Sequence, residues 1–390
     1  MKNFFILILI TFISFNAFAQ EPDPNTETGT LQGVITTGVP FMLIAGDARA
    51  AGMGDIGVVT SADAFSQQWN PAKYAFAISK QGVGVTYTPY LSKLVNDIFL
   101  GNITYYNRIN ERSAVGASFR YFSAGEIELR ETAEQQPLIV NPNEFLFDLS
   151  YSLRLSDRFS MAIAGRFINS NLKIPGTNGD DAGSASSFAV DVAGYYQSEE
   201  IAYNDFDGRW RLGFNISNIG PKIKYDDAGS ENSLPTNLAL GGGFDFILDE
   251  YNKVGVSLEV DKLLVPTPSD SNGDGVINRQ DDYYNESFSS GIFSSFGDNP
   301  DGFSGELKEF VWALGAEYWY QDSFAFRAGY FNESEESGSR KFLSLGAGFK
   351  YTAIKFDVSY LFSTSKVVSP LEGSLRFGLT FAFGDEYDEY

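Results

Sequence analysis

One run of side chains in this sequence could hold a metal ion. Asp270, Asn272, Asp274, Asn278 and Asp281 place oxygen donors at positions one, three, five, nine and twelve of a twelve-residue loop. Val276 offers its carbonyl at the seventh position, Gly275 stands where the chain must turn sharply, and Ile277 is the apolar eighth residue. This is the pattern of a Ca2+ loop. Position twelve is Asp rather than Glu, and the shorter side chain weakens the case for a bidentate ligand. No helical pattern flanks the run, so a bare loop is expected, not a paired hand. A calcium loop outside the cell binds weakly, at about 10⁻⁴–10⁻³ M, and its role would be to stiffen the loop. The plain alternative is an acidic, Gly-rich surface loop; five donors and the turn glycine favour calcium.

Elsewhere, missing residues limit the chemistry. The 390-residue chain has neither His nor Cys. The commonest general base and metal ligand is therefore lacking, a conventional Ser-His relay cannot form, and there are no disulfides. A formal net charge of −22 argues against nucleic acid as a partner, because phosphate binding needs a basic face. The excess acid suits solvated loops and would attract divalent cations at an anionic bacterial surface.

The elements that carry these residues are clearest near the chain's end. Leu343, Leu345, Ala347, Phe349 and Tyr351 alternate with Ser344, Gly346, Gly348 and Lys350. Ile354 to Phe362 and Leu375 to Phe383 repeat the pattern. Strand side chains point alternately to opposite faces, so each segment has one greasy and one polar or small face. The runs are longer than the roughly 5–6 residues usual in soluble sheets. They match the roughly 9–11 residues of a tilted strand crossing a bilayer. Aromatic residues make up 15% of the chain, with 35 Phe and 21 Tyr beside 39 Gly, which suits aromatic girdles and a crowded lumen. The fold class is therefore all-β, a transmembrane antiparallel β-barrel.

From Gln81 the pattern predicts about 14 strands, near 81–90, 97–107, 112–122, 143–155, 159–170, 185–197, 209–217, 236–248, 252–263, 309–320, 323–332, 341–352, 353–363 and 373–384. Connections after odd-numbered strands are mostly long, with 264–308 the longest, and those after even-numbered strands mostly short. The first connection, 91–96, and the one at 197–208 break the rule. Long loops face outward in such barrels, and an even strand count puts both termini in the periplasm. The predicted organisation is a signal peptide over 1–19, a leader and inner plug over 20–80, the barrel over 81–384 and an acidic tail over 385–390. The signal peptide rests on Lys2, the apolar core Phe4 to Phe15, and the small residues Ala17 and Ala19. After it, no apolar run is long enough for a helical span.

The segment from Val39 to Ala77 does not alternate. A moderately apolar, non-strand segment ahead of a barrel fits inside it as a plug, where its glycines allow close packing or positive φ. Asp63 to Gln68 predicts a helical turn and Asn70-Pro71 a break. Asp47 and Arg49 either pair or bond backbone there. Lumen-side positions on this register include Arg120, Arg154, Arg166, Asp191, Arg211, Asn215, Asp245, Glu259, Arg327, Lys355, Asp357 and Arg376. Both signs occur together, which reads as a salt-bridged interior packed on the plug and not as a charged eyelet.

Two blocks carry a family resemblance. Leu43-Ile44-Ala45-Gly46-Asp47-Ala48-Arg49-Ala50-Ala51-Gly52-Met53-Gly54-Asp55-Ile56-Gly57-Val58 and Trp69-Asn70-Pro71-Ala72-Lys73 resemble the N-terminal hallmark of the PorV/PorQ family of Bacteroidetes outer-membrane proteins, with Gly46 where Pro is common. The motif residues taken from it are Asp47, Arg49, Gly52, Met53, Gly54, Trp69, Asn70 and Pro71. The resemblance implies a FadL-like barrel of 14 strands with an N-terminal hatch, set in outer-membrane lipid. It implies a non-catalytic component of the type IX secretion system. Such a component binds the C-terminal domain of secreted cargo and carries it from the giant translocon barrel to an attachment complex with a PorU-type sortase. The alternatives are a FadL-like transporter of hydrophobic small molecules and, least favoured without His, an enzyme acting on lipid A.

Overall fold

The computed structural model describes residues 33–92, 95, 97–130, 136–172, 183–225, 231–365 and 372–387. The expected signal peptide lies outside the described residues, as do the leader before Gly33 and the end of the tail. Fourteen long strands form the wall. They are β1 (Ser79–Pro89), β2 (Ile98–Arg108), β3 (Ser113–Ala124), β4 (Asn143–Ser156), β5 (Phe159–Asn171), β6 (Ala185–Gln197) and β7 (Asp207–Ile219). The second half comprises β8 (Asn237–Ile247), β9 (Asn252–Leu263), β10 (Val311–Tyr320), β11 (Phe324–Asn332), β12 (Lys341–Tyr351), β13 (Ile354–Ser363) and β14 (Leu375–Glu386). Each pairs antiparallel with its sequence neighbours, and β14 pairs with β1. The sheet is therefore a closed barrel with no free edge, which is what strands need in lipid, where an unpaired backbone group has no water to turn to. Every strand expected from the alternation is present, with ends shifted by a residue or two.

Short connections turn through left-handed backbone. Gln321 and Asp322 both have positive φ (53° and 50°) between β10 and β11, and Thr352 (51°) turns β12 into β13. β7 carries a register shift after Ile216, with Asn218 left-handed at φ 61°; its N–H donates to Asp191 at 2.7 Å.

The outward face is apolar and exposed, as in Ile103, Leu149, Ile163, Phe188 and Leu212. Aromatic rings meet across neighbouring strands in a row, Phe119–Phe145–Phe167–Phe188, at centroid distances of 5.9, 6.2 and 5.3 Å, an aromatic girdle on the lipid side. The inward face is polar. Arg120, Arg166, Asp191, Glu259, Arg327, Asp357 and Arg376 are each at most 4% exposed, on the side the alternation assigns.

β1 starts beside the end of β14, with Ser79 opposite Glu386, at the short-turn end. The described chain ahead of β1 starts at the other end, where Gly33 N–H donates to the Pro268 carbonyl (2.8 Å) and Gly38 N–H to Ser233 (2.9 Å). Residues 39–77 then cross the interior, almost wholly buried. No described helix is long and apolar enough to cross a membrane.

Candidate functional site

The inner segment is a chain of one-turn elements, each capped by a side chain. Asp47 opens the turn Ala48–Ala51 by accepting from Ala50 N–H at 2.8 Å, and its other oxygen accepts from the Trp69 indole at 2.6 Å. A carboxylate at a helix N-terminus satisfies donors that otherwise lack partners. Burial, with Asp63 nearby, pushes the Asp47 carboxyl up to about 6. Asp47 and Arg49 do not pair; of the two expected arrangements, Asp47 bonds backbone. Arg49, one residue into the turn, points to the wall. It donates to Glu317 of β10 (3.0 and 2.7 Å), to Asp63 (2.9 Å) and to the Ser61 carbonyl (3.1 Å). Those carboxylates hold the guanidinium above its ordinary range against the cost of burial. Glu317 also accepts from Arg327, which reaches Asp357 at 2.8 Å, and Lys355 completes the row at 3.2 Å.

The glycines make room for this contact. A Cβ on Gly52 would stand 3.0 Å from the Gly346 Cα. Gly54 is left-handed (φ 80°) and donates to the Ser344 hydroxyl at 2.8 Å. Met53 is buried because β11 presents a glycine to it: a Cβ on Gly329 would fall 2.0 Å from the Met53 carbonyl carbon. Trp69 ends the turn Ser66–Trp69, which overlaps the stretch Asp63 to Gln68 expected to be helical and runs one residue past it. Asn70 caps the following 3₁₀ turn, Pro71–Phe76, by accepting from Ala72 N–H (3.1 Å), and its amide donates to the carbonyls of Val58 and Gly194, both at 3.0 Å. Pro71 takes the first helical position, where an N–H would have no partner.

The eight motif residues thus form one packed body. The sequence reading missed Glu317, Lys73 and Gln68 as its fastenings. Glu317 shares the inward face of β10 with Ala313 and Gly315, so the alternation already carried its signal. Lys73, buried, donates to the Gly57 carbonyl (2.7 Å) and the Thr60 hydroxyl (3.0 Å), and burial lowers its ammonium to about 8. Gln68 accepts from Gly46 N–H (3.0 Å) and donates to the Ile44 carbonyl (2.8 Å). Lys73 closes the second family block, but nothing local in the sequence marks Gln68.

The 270–281 loop stands apart, at the long-loop end. Asp270 accepts from the N–H groups of Gly273 (2.7 Å) and Gly275 (2.8 Å), and Asp281 from those of Ser271 (2.9 Å) and Asn278 (2.7 Å). Those amides hold Asp281 below its ordinary pKa. Gly273 and Gly275 are both left-handed. Asn272 and Asp274 each cap the second residue on, and the Val276 carbonyl accepts from the Asn278 amide. One short helix, Asp282–Asn285, follows the loop, where no flanking helix was expected. Among the described residues, the three acidic side chains with oxygens within 4.8 Å of one another are Asp298, Glu306 and Glu309. Lys262 already fills that cluster, 3.1 Å from Glu306 and paired with Glu309.

The closed wall and filled interior define a transmembrane β-barrel with a packed lumen. Solved structures agree in fold. The CymD monoaromatic hydrocarbon channel aligns over 89% of this chain and 99% of its own, with 14% identity and a TM-score of 0.50. The toluene transporter TodX of Pseudomonas putida aligns over 90% and 99%, with 11% identity and a TM-score of 0.51. No curated protein sequence matches. The pattern of the family described as type IX secretion system protein PorV matches residues 27–270. The chain belongs to that family, and is an outer-membrane component of the type IX secretion system.

Proposed function

We propose that this barrel receives secreted proteins by their C-terminal signal domain and carries them from the giant translocon barrel to the surface complex that holds a PorU-type sortase. The observation that carries this reading is the anchored inner segment. Arg49 fastens it to Glu317, Glu259 accepts from the N–H groups of Gly57 and Val58, and Asn215 donates to the Trp69 carbonyl. A lumen plugged in this way has no room for a polypeptide. The work then falls to the outer loops, where the connection 264–310 exposes Phe293 (80%) and Phe303 (78%), apolar surface of the kind that meets a partner. The same connection would bind Ca2+ through Asp270, Asn272, Asp274, Val276, Asn278 and Asp281, stiffening the loop beside that surface. Neither the family nor the barrel's structural relatives are enzymes.

The test is a tagged pull-down from native outer membrane in mild detergent. Co-purifying proteins with a common C-terminal domain, together with a very large barrel, are expected. The second reading, a FadL-like transporter, draws on structural relatives named for toluene and monoaromatic hydrocarbons. A clean monomer carrying only a hydrophobic molecule would replace the first reading with it. The charged interior, with Arg120, Arg166 and Glu259 lining the space beside the inner segment, disfavours an apolar path.

A further inference from the structure

Between the inner segment and the wall lies a cavity of about 140 Å³. It extends from Gln68 and Trp69 to Ser337 and Arg340 in the connection after β11, at the long-loop end. Its size is close to the ~150 Å³ cavity that accepts one benzene molecule.

Most of its charged groups are already matched. Asp55 pairs with Arg376 (3.2 Å), Glu333 with Arg340 (2.7 Å), and Glu309 with Lys262. Arg166 sits against Asp148 and Asp191. The same two aspartates offset Arg120, which also donates to the Met42 carbonyl. Two carboxylates remain, Glu259 and Asp261, both on the inward face of β9. Glu259 is 2% exposed, and one of its oxygens takes the Gly57 and Val58 amides. Asp261 accepts one bond, from Asn237 at 2.9 Å. Neither has an ion-pair partner among the described residues. Lys73 lends its field to Glu259 and Arg340 lends its field to Asp261, but the Lys73 ammonium is spent on Gly57 and Thr60 and the Arg340 guanidinium on Glu333. A third acceptor faces the same space: the side-chain oxygen of Asn215, a residue 3% exposed, has no hydrogen-bond partner.

A buried carboxylate without a cation is costly. The second oxygen of each carboxylate, with no donor in the structure, and the Asn215 oxygen match in number the three N–H groups of an ammonium. The remaining lining includes Leu43, Leu263, Val311 and Phe331, which suits a short aliphatic body.

We propose that this cavity binds an alkylammonium group entering from the cell exterior, with Glu259, Asp261 and Asn215 receiving its N–H groups. The group is carried either by a free small amine or by a lysine side chain of a polypeptide. The inference does not depend on cargo transfer.

The experiment uses the full barrel in non-ionic detergent, with n-butylamine, its neutral analogue n-butanol, and the tripeptide Gly-Lys-Gly with and without acetylation of the lysine side chain. Saturation-transfer NMR and calorimetry read binding. Butylammonium is expected to bind at least about tenfold more tightly than butanol, and Asp261→Asn to weaken it roughly tenfold. Asp261→Asn keeps an acceptor for Asn237, and heat-shifted gel mobility checks that the barrel is intact. Binding of the unacetylated peptide above the free amine assigns the group to a polypeptide, and the reverse order assigns it to a solute. Equal binding of amine and alcohol, unchanged binding in Asp261→Asn, or no amine binding by the intact barrel would overturn the proposal.

Discussion

Asp47 joins the helix cap and the Trp69 indole at one buried carboxylate, and it is held against its own electrostatics. Its pKa lies near 6 in the fold against 3.8 in the open chain, from burial first and Asp63 second. The folded state therefore binds more protons than the unfolded one between those values. Stability is lost as pH rises through that window, by on the order of 3 kcal/mol from this group. The inner segment should be held more firmly at pH 5 than at pH 7.5. Hydrogen exchange across residues 47–57 measures this, and Asp47→Asn should remove most of the difference while keeping the cap to Ala50. An unchanged pH response in that variant would locate the effect elsewhere. Sequence legibility is mixed at this scale. Asp47 and Asn70 stand where helix-start rules put them, but the choice of Glu317 as the partner of Arg49, 268 residues away, is invisible to any local rule.

At the scale of elements, the segment 39–77 and the wall fit through missing side chains. Gly329→Ala places a methyl inside the Met53 backbone, and backbone cannot swing aside as a flexible side chain does. It should dislodge the 53–54 turn at a cost of about 1–3 kcal/mol. Faster hydrogen exchange there, with the barrel strands unchanged, is the expected reading. The long connection offers a second check. Ca2+ bound at 270–281 should slow proteolysis of that loop relative to chelator, and Asp270→Ala should abolish the difference; equal cleavage in both conditions would remove calcium from the account. Strand positions were legible because a two-sided wall, lipid against lumen, imposes strict period-two alternation. The short helices Phe288–Ser294 and Phe303–Glu309 were not, because seven-residue helices gain their stability from what they pack on.

For the whole molecule, a ring of fourteen strands leaves an interior that is either open water or packed chain. Here residues from Phe41 to Ala77 fill much of it, bolted by buried ion pairs. Conductance in a planar bilayer should therefore stay near baseline. Arg49→Ala leaves Glu317 and Asp63 short of their shared cation, a loss on the order of 3–5 kcal/mol when a buried pair is broken, so intermittent openings should follow. A large steady conductance in the unaltered protein would contradict the packed interior. The same packing directs attention to the outer loops, whose partners the pull-down identifies.

The sequence alone determined the strand number, the inward and outward faces, the outer-membrane class and the family blocks. All of these follow from local periodicity or from contiguous motifs. Only the tertiary structure decided that Arg49 turns to Glu317 and not to Asp47, that Lys262 occupies the cluster of Glu306 and Glu309, and that Glu259 and Asp261 border a cavity with no ion-pair partner among the described residues. Each depends on which strands the closed ring brings opposite one another, a condition set by the ring as a whole and absent from any single stretch of chain.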